Sequence, residues 1–388
     1  MPEIIIIGAG VVGASIAYHL AKQGCQDVTV LEKNYVGSGS TEKCAGGIRQ
    51  QFSTEINIKL SMESVKFFER FEEETGHTAD FRQHGYLLLA TSERELAAFH
   101  QNVAVQRKLG LEVQLISPQE VAELVPGLNV EDILGATFCP TDGYADPYSV
   151  VSGFASAAKR LGVGILEETE VTGIELIGDK VKGVLTTRGK FEASVAVNAA
   201  GPYAGVVGKM AGLDIPVQPS RRHLFITEPL FRHRQHFDGF NRSNLPMVVD
   251  FHNGFWFRRE GSCLIFGMRN PDEPQGFSTS VDWEYFSDVL APAASQRLPR
   301  LKDIGIMKGQ AGLHSDTPDC MAILGEGSTI DGLYLACGFS GHGFMHSPAV
   351  GRLIADLILG EKTLSLAAYS LALDRFHHQV QQKESAYI

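Results

Sequence analysis

Residues 4–32 read IIIIGAGVVGASIAYHLAKQGCQDVTVLE, and the order of features within them decides the fold. Ile4 to Ile7 is a β-branched run without polar alternation, the pattern of a strand covered on both faces. GAGVVG follows at 8–13, then a helical stretch from Ala14 to Gln23 stopped by Gly24, then a strand from Asp27 to Leu31 that ends at Glu32. Strand, GxGxxG, helix, strand and acid, with Glu32 standing 19 positions after Gly13, make a dinucleotide-binding unit. Gly8 permits the tight turn, Gly10 lets backbone approach a pyrophosphate, and Gly13 lets helix and strand pack closely. Ala9, Val11 and Val12 carry the amides of the helix start, and Glu32, with Lys33 beside it, accepts the ribose hydroxyls.

The same apolar start could be taken for a secretory signal, but Glu3 stands where a base is wanted, and glycines and Lys22 cut the run short. A buried strand is the better account, and a soluble, cytoplasmic protein without a transmembrane segment is expected. The chain has 388 residues, enough for two to three domains and a core that needs no staples. Its net charge of −11 gives no electrostatic reason to expect nucleic acid as a partner. Six cysteines form no CxxC pair, which fits reduced thiols and no metal cage.

The first unit leaves NAD and FAD both open. Gly37-Ser38-Gly39-Ser40-Thr41 follows the acid almost at once and offers small hydroxyls and free amides to a longer dinucleotide. Further on, Ser61 to Glu74 has the apolar spacing of a helix, and 164–187 reads as three short strands. Val195 to Gly201 resembles another central strand meeting a glycine turn, and 215–310 is mostly strand-like. Near the other end, Leu333 to Ala336 leads into CGFSGHGF at 337–344 and a helix expected to start at Pro348. Dinucleotide-type elements thus surround two stretches of different character.

GAGVVG with Glu32, DGYADP at 142–147, TPD at 317–319 and GFSGHGF at 338–344 occur in this order and spacing in one family. The chain resembles the D-amino-acid oxidase superfamily of FAD-dependent amine oxidoreductases. Within it, the chain is most similar to the sarcosine oxidase β-subunit, the dye-linked L-proline dehydrogenase β-subunit and glycine oxidase. The resemblance implies an α/β fold: a Rossmann-type, glutathione-reductase-like FAD-binding domain over 1–80, 146–216 and 311–388. An interleaved α+β substrate domain, built on a mostly antiparallel sheet, would span 81–145 and 217–310. It also implies oxidation of the C–N bond of a small amino acid (L-proline, sarcosine or glycine) to an imine by hydride transfer to flavin N5.

Residue by residue, the resemblance adds Gly39, Ser40, Thr41, Gly47, Ile48, Val171, Ala200, Gly201, Gly312, Gly338, Phe339, Gly341, His342, Gly343, Phe344 and Met345 to the FAD-binding positions. Arg49 falls where monomeric sarcosine oxidases bind the substrate acid, and a guanidinium suits a bidentate carboxylate. His314 falls where relatives carry a tyrosine or a carboxylate-binding arginine. Gly312 replaces the cysteine that tethers flavin in monomeric sarcosine oxidases, so FAD is expected to be non-covalent. Ile265 and Met345 replace family lysines, Met345 beside the reacting centre with Arg49 and His314. Loss of those ammonium groups tilts the reading toward a dehydrogenase. Its acceptor would be oxygen, a quinone or a partner subunit. Two alternatives stay open: a peroxide-producing sarcosine/glycine-type oxidase, and a flavin-binding β-subunit active only in a hetero-oligomer. Arg221-Arg222-His223 opens a strand that either borders the active-site mouth or, the preferred reading, forms a solvated basic edge. Residues 232–236 are expected to be a surface loop, and Glu361-Lys362 and the His377-His378 tail a polar, frayed end.

Overall fold

The computed structural model describes residues 3–230, 244–327, 329–360, 370–377 and 382–387. The basic stretch at 232–236, the Glu361-Lys362 pair and His378 lie outside them.

Ile4–Ile7 sits inside a six-stranded sheet ordered Ile323–Glu326, Leu333–Cys337, Val195–Asn198, Ile4–Ile7, Val28–Leu31, Gly164–Leu166. All neighbours are parallel except the first pair. The four isoleucines are buried, as the absence of alternation requires. Ile7 is in register with both Asn198 and Leu31, so the turns after those strands leave from one carboxyl edge of the sheet. In open α/β sheets that edge is where ligands bind.

The helices Val11–Lys22, Pro147–Arg160 and Gly343–Ile358 cover one face. The first and last cross so closely that a Cβ on Gly351 would come within 2.1 Å of Ser15 Oγ. Three antiparallel strands, Val171–Ile177, Lys180–Thr186 and Gly189–Glu192, form a separate small sheet. The expected FAD-binding fold with a second, mostly antiparallel sheet is borne out. That second sheet has eight strands, from the edge strand Ile306–Asp316 through Gln218–Thr227, Cys263–Gly267, Trp256–Glu260, Met247–Asp250, Tyr86–Ala90 and Gly135–Cys139 to Gln114–Ile116. Its one parallel pair joins Met247–Asp250 to Tyr86–Ala90.

Two helix boundaries differ from expectation. The last helix begins at Gly343, and Pro348 lies inside it. Proline removes the amide that would reach the Phe344 carbonyl, and the Ser347 hydroxyl donates to that carbonyl instead at 2.9 Å, so the helix continues. The helix expected over 61–74 is two helices, Glu55–Glu69 and Phe71–Thr75. Thr54 starts the first without a side-chain cap, because its hydroxyl donates to Glu384 at 2.7 Å. Among the described residues no helix is long and apolar enough to cross a membrane.

Candidate active site

A cavity of about 560 Å³ runs along the carboxyl edge of the parallel sheet and ends under the eight-stranded sheet. At one end lie Gly8, Gly10, Val11, Val12, Glu32 and Lys33. Gly8 has φ +105°, and a Cβ on Gly13 would lie 1.9 Å from the Gly8 carbonyl oxygen, so the turn admits neither residue with a side chain. A Cβ on Gly10 would meet nothing nearer than Thr41 Oγ1 at 3.5 Å; that space belongs to a ligand or solvent. Glu32 accepts from the amides of Ala9 and Asn34, both at 2.9 Å, which ties its carboxylate to the glycine turn. Lys33 lies 3.3 Å above the Tyr203 ring, beside Val171, Ala200 and Gly201 in the cavity wall. Gly39 lines the cavity, but Ser40 and Thr41 spend their hydroxyls on protein: Ser40 donates to the Leu313 carbonyl at 2.7 Å and Thr41 accepts from Val11 N at 3.1 Å.

The middle of the cavity is built by the second glycine run. Phe339, Gly341, His342, Gly343, Phe344 and Met345 line it, facing Gly312. Neither N-cap residue, Gly10 or His342, caps its helix with a side chain, so two positive helix ends point into one cavity, although Thr41 takes the Val11 amide at the first. That donor set fits FAD: the first helix start would hold the diphosphate and the second would supply donors to the electron-accepting ring. Ala9, Gly13, Ile48 and Gly338, also expected at the cofactor, stand behind the wall and do not line the cavity. Gly13 is excluded by its contact with Gly8, and at Gly338 a Cβ would strike Thr317 Cγ2 at 2.6 Å.

The far end is a chamber bounded by Arg49, Gly47, Tyr86, His314 and the apolar side chains Met247, Val249, Trp256 and Met268. A Cβ on Gly47 would lie 3.1 Å from both the Tyr86 hydroxyl and the Met247 sulfur. Arg49 is 2% exposed, with Nη1 donating to the Gln51 carbonyl at 2.6 Å and Nη2 to the Ala386 carbonyl at 2.9 Å. The Phe52 ring lies under its guanidinium at 4.2 Å. Among the described residues no acid pairs with it, and burial pulls its pKa down. DGYADP holds this loop in place: buried Asp142 accepts from Gln50 N and Nε2 at 2.9 Å and from Gln51 Nε2 at 3.0 Å. Burial nevertheless pushes its carboxyl up to about 6.

His314 packs against Gly341, with Nδ1 buried, 3.9 Å from Asp316 Oδ1 and without a hydrogen bond among the described residues. Burial, and then the Arg222 charge, push its pKa down to about 4, so the ring is neutral. His342, 3.5 Å from Arg49 Nη2, is held well below the usual range by burial and by that cation. The expected solvated edge at 221–223 is overturned: Arg222 and His223 line the cavity, and Arg221 is half-buried against Glu273 and Asp282. Pairing with Ile306–Asp316 turns this strand inward, Arg222 opposite Gly312. Tyr86, Met247 and Trp256 carry no sequence signal beyond membership of a strand.

The FAD dependent oxidoreductase family (DAO) matches residues 3–357. The chain belongs to this family. FAD dependent oxidoreductase folds similar to this one include the L-proline dehydrogenase from P. horikoshii, 35% identical, with a TM-score of 0.88 and 97% of each chain covered. Glycine oxidase from Geobacillus kaustophilus is 26% identical with a TM-score of 0.83, covering 96% of this chain and 98% of that one. Mouse mitochondrial dimethylglycine dehydrogenase is 33% identical over 94% of this chain, which spans 43% of that protein's length. The resemblance seen in the motifs is thereby borne out.

Proposed function

We propose that this FAD-dependent oxidoreductase is a dehydrogenase of a small amino acid, with L-proline, sarcosine and glycine as candidate substrates. The observation that carries the reading is Arg49: a buried cation, bordering the cavity, that makes no direct ion pair with an acid among the described residues. An unpaired buried charge is costly, and a substrate carboxylate offsets that cost. Similarity to a proline dehydrogenase over 97% of the chain supports the substrate class.

In this reading Arg49 binds the carboxylate, and the apolar wall of Met247, Val249, Trp256 and Met268 takes the side chain or ring and excludes water. Neutral His314 lines the chamber and bounds the space beside the carboxylate site. FAD, when bound, supplies the two-electron acceptor for the C–H bond beside the nitrogen. The Gly343 amide, at the uncapped start of the last helix, stabilises negative charge placed against it. We further propose that FAD is held without a covalent bond. Gly312 has no nucleophile, and a Cβ there would already be 2.8 Å from Lys43 Cβ. We likewise propose the domain division at 81–145 and 217–310, which would give the apolar wall of the chamber to the substrate domain and the glycine runs, Arg49 and His314 to the FAD domain. Six cysteines without a disulfide support a reducing, cytoplasmic setting.

Anaerobic mixing with each amino acid, followed by air, tests the reading. Bleaching of the flavin band by one of them, with slow recovery in air, is expected. No bleaching by any of them removes the function. Rapid recovery would favour an oxidase, and activity that appears only with a second protein present would favour the hetero-oligomer.

A further inference from the structure

We propose that Glu384 is a positioning residue for Arg49, and that segment 384–387 is the strap through which it acts. The inference rests on the reading of Arg49 as the carboxylate site. Glu384 is fully buried, and its two oxygens collect six donors. Oε1 accepts from the amide and hydroxyl of Ser53 and from Ala386 N at 2.9 Å. Oε2 accepts from the amide of Thr54 at 3.2 Å, its hydroxyl at 2.7 Å and Asn57 Nδ2 at 2.9 Å. Burial disfavours the charge, yet the bonds from Ser53, Asn57 and Thr54 outweigh it and hold the pKa below the usual carboxylate range. No cation pairs with it among the described residues. Its charge acts on Arg49 only through space, and its bonds, all from neutral donors, fix the geometry of the segment that carries it.

What it fixes lies two and three residues on. The Ala386 carbonyl takes Arg49 Nη2 at 2.9 Å. The Tyr387 hydroxyl donates to Asp316 at 2.9 Å and accepts from Arg222 Nη2 at 2.9 Å. The amide of Glu384 is itself held by the Asp319 carbonyl at 3.0 Å. With Gln51 gripping the other nitrogen, the guanidinium plane has one set orientation. Two carbonyls hold it there without neutralising its charge, so that charge stays available to a ligand.

A double-mutant cycle on binding of pyrrole-2-carboxylate, an unoxidisable planar acid, tests this by calorimetry on the whole protein. Glu384→Gln should raise Kd about tenfold, the loss of one charged hydrogen bond's worth of positioning. Arg49→Lys should raise it at least as much. The double variant should be no worse than Arg49→Lys alone, because one residue acts through the other. If Glu384→Gln does not fold, Thr54→Val removes a single donor at near-constant volume and should raise Kd about threefold by the same route. An unchanged Kd in a folded variant, or effects that add in the double variant, overturns the proposal. A colourless protein that cannot be loaded with FAD defeats the functional reading instead, a result independent of the cycle.

Discussion

His314 and Gly341 touch so closely that a methyl group on Gly341 would sit 2.6 Å from His314 Cε1. Gly341 also has φ +88°. Gly341→Ala therefore combines backbone strain with displacement of the ring, at roughly 1–3 kcal/mol for the strain alone. A lower melting temperature together with weaker FAD retention is expected, read by the ratio of flavin to protein absorbance after gel filtration.

Gly10 and Gly13 separate cofactor binding from folding. Gly13→Ala drives a Cβ into the Gly8 carbonyl and should cost about 3 kcal/mol or more of stability, because backbone has to move. Gly10→Ala meets only Thr41 Oγ1 at van der Waals distance, so the apoprotein should melt as the parent does while FAD affinity falls. Equal melting temperatures for the two apo variants would refute this assignment.

Acid should destabilise the fold below neutral pH. His19 and His346 are pushed by burial to about 3, and His314, likewise by burial, to about 4. Each takes up a proton near pH 6.5 when unfolded but not when folded, so stability is full above 6.5 and falls as pH drops from there toward the folded values. The slope is about 1.4 kcal/mol per pH unit for each such group. Asp142 acts oppositely between its unfolded value and about 6, but it is one group against these three and His342, which burial also holds low. Urea melts at pH 7.5 and 5 should show the loss, and His19→Gln should show a shallower pH dependence.

Arg49→Ala should raise KM for the amino-acid substrate by the equivalent of roughly 2–5 kcal/mol, the effect of leaving a buried carboxylate unpaired. The fall in kcat should be smaller. An unchanged KM would take Arg49 out of the carboxylate-binding role.

Met345 borders the cavity beside the second glycine run, where an ammonium would stabilise superoxide. Met345→Lys should speed re-oxidation of the reduced protein in air by about tenfold, a change of 1.4 kcal/mol in the barrier. Stopped-flow recovery of the flavin band measures it.

Much of this site is local, which is why the chain displays it. Gly8, Gly10, Gly13 and Glu32 act through turns and strand ends that neighbouring residues specify, and GFSGHGF likewise encodes its own turn and helix start. Pro348 misled because its local rule, a place in the first turn, is overridden by the Ser347 hydroxyl serving the freed Phe344 carbonyl. Arg222 misled because strand pairing decides which edge faces water.

Glu384 had no signal at all: a lone acid in a polar stretch becomes a buried anchor only when Ser53, Thr54 and Asn57 gather around it from more than 300 positions away. The amino-acid order by itself determined the dinucleotide cradle and the parallel core, since these follow from glycine conformations and apolar runs, whereas Arg49 was singled out only by the family resemblance. Only the tertiary structure decided which groups surround that guanidinium, because a buried charge takes its partners from whatever the packed elements bring within about 3 Å of it.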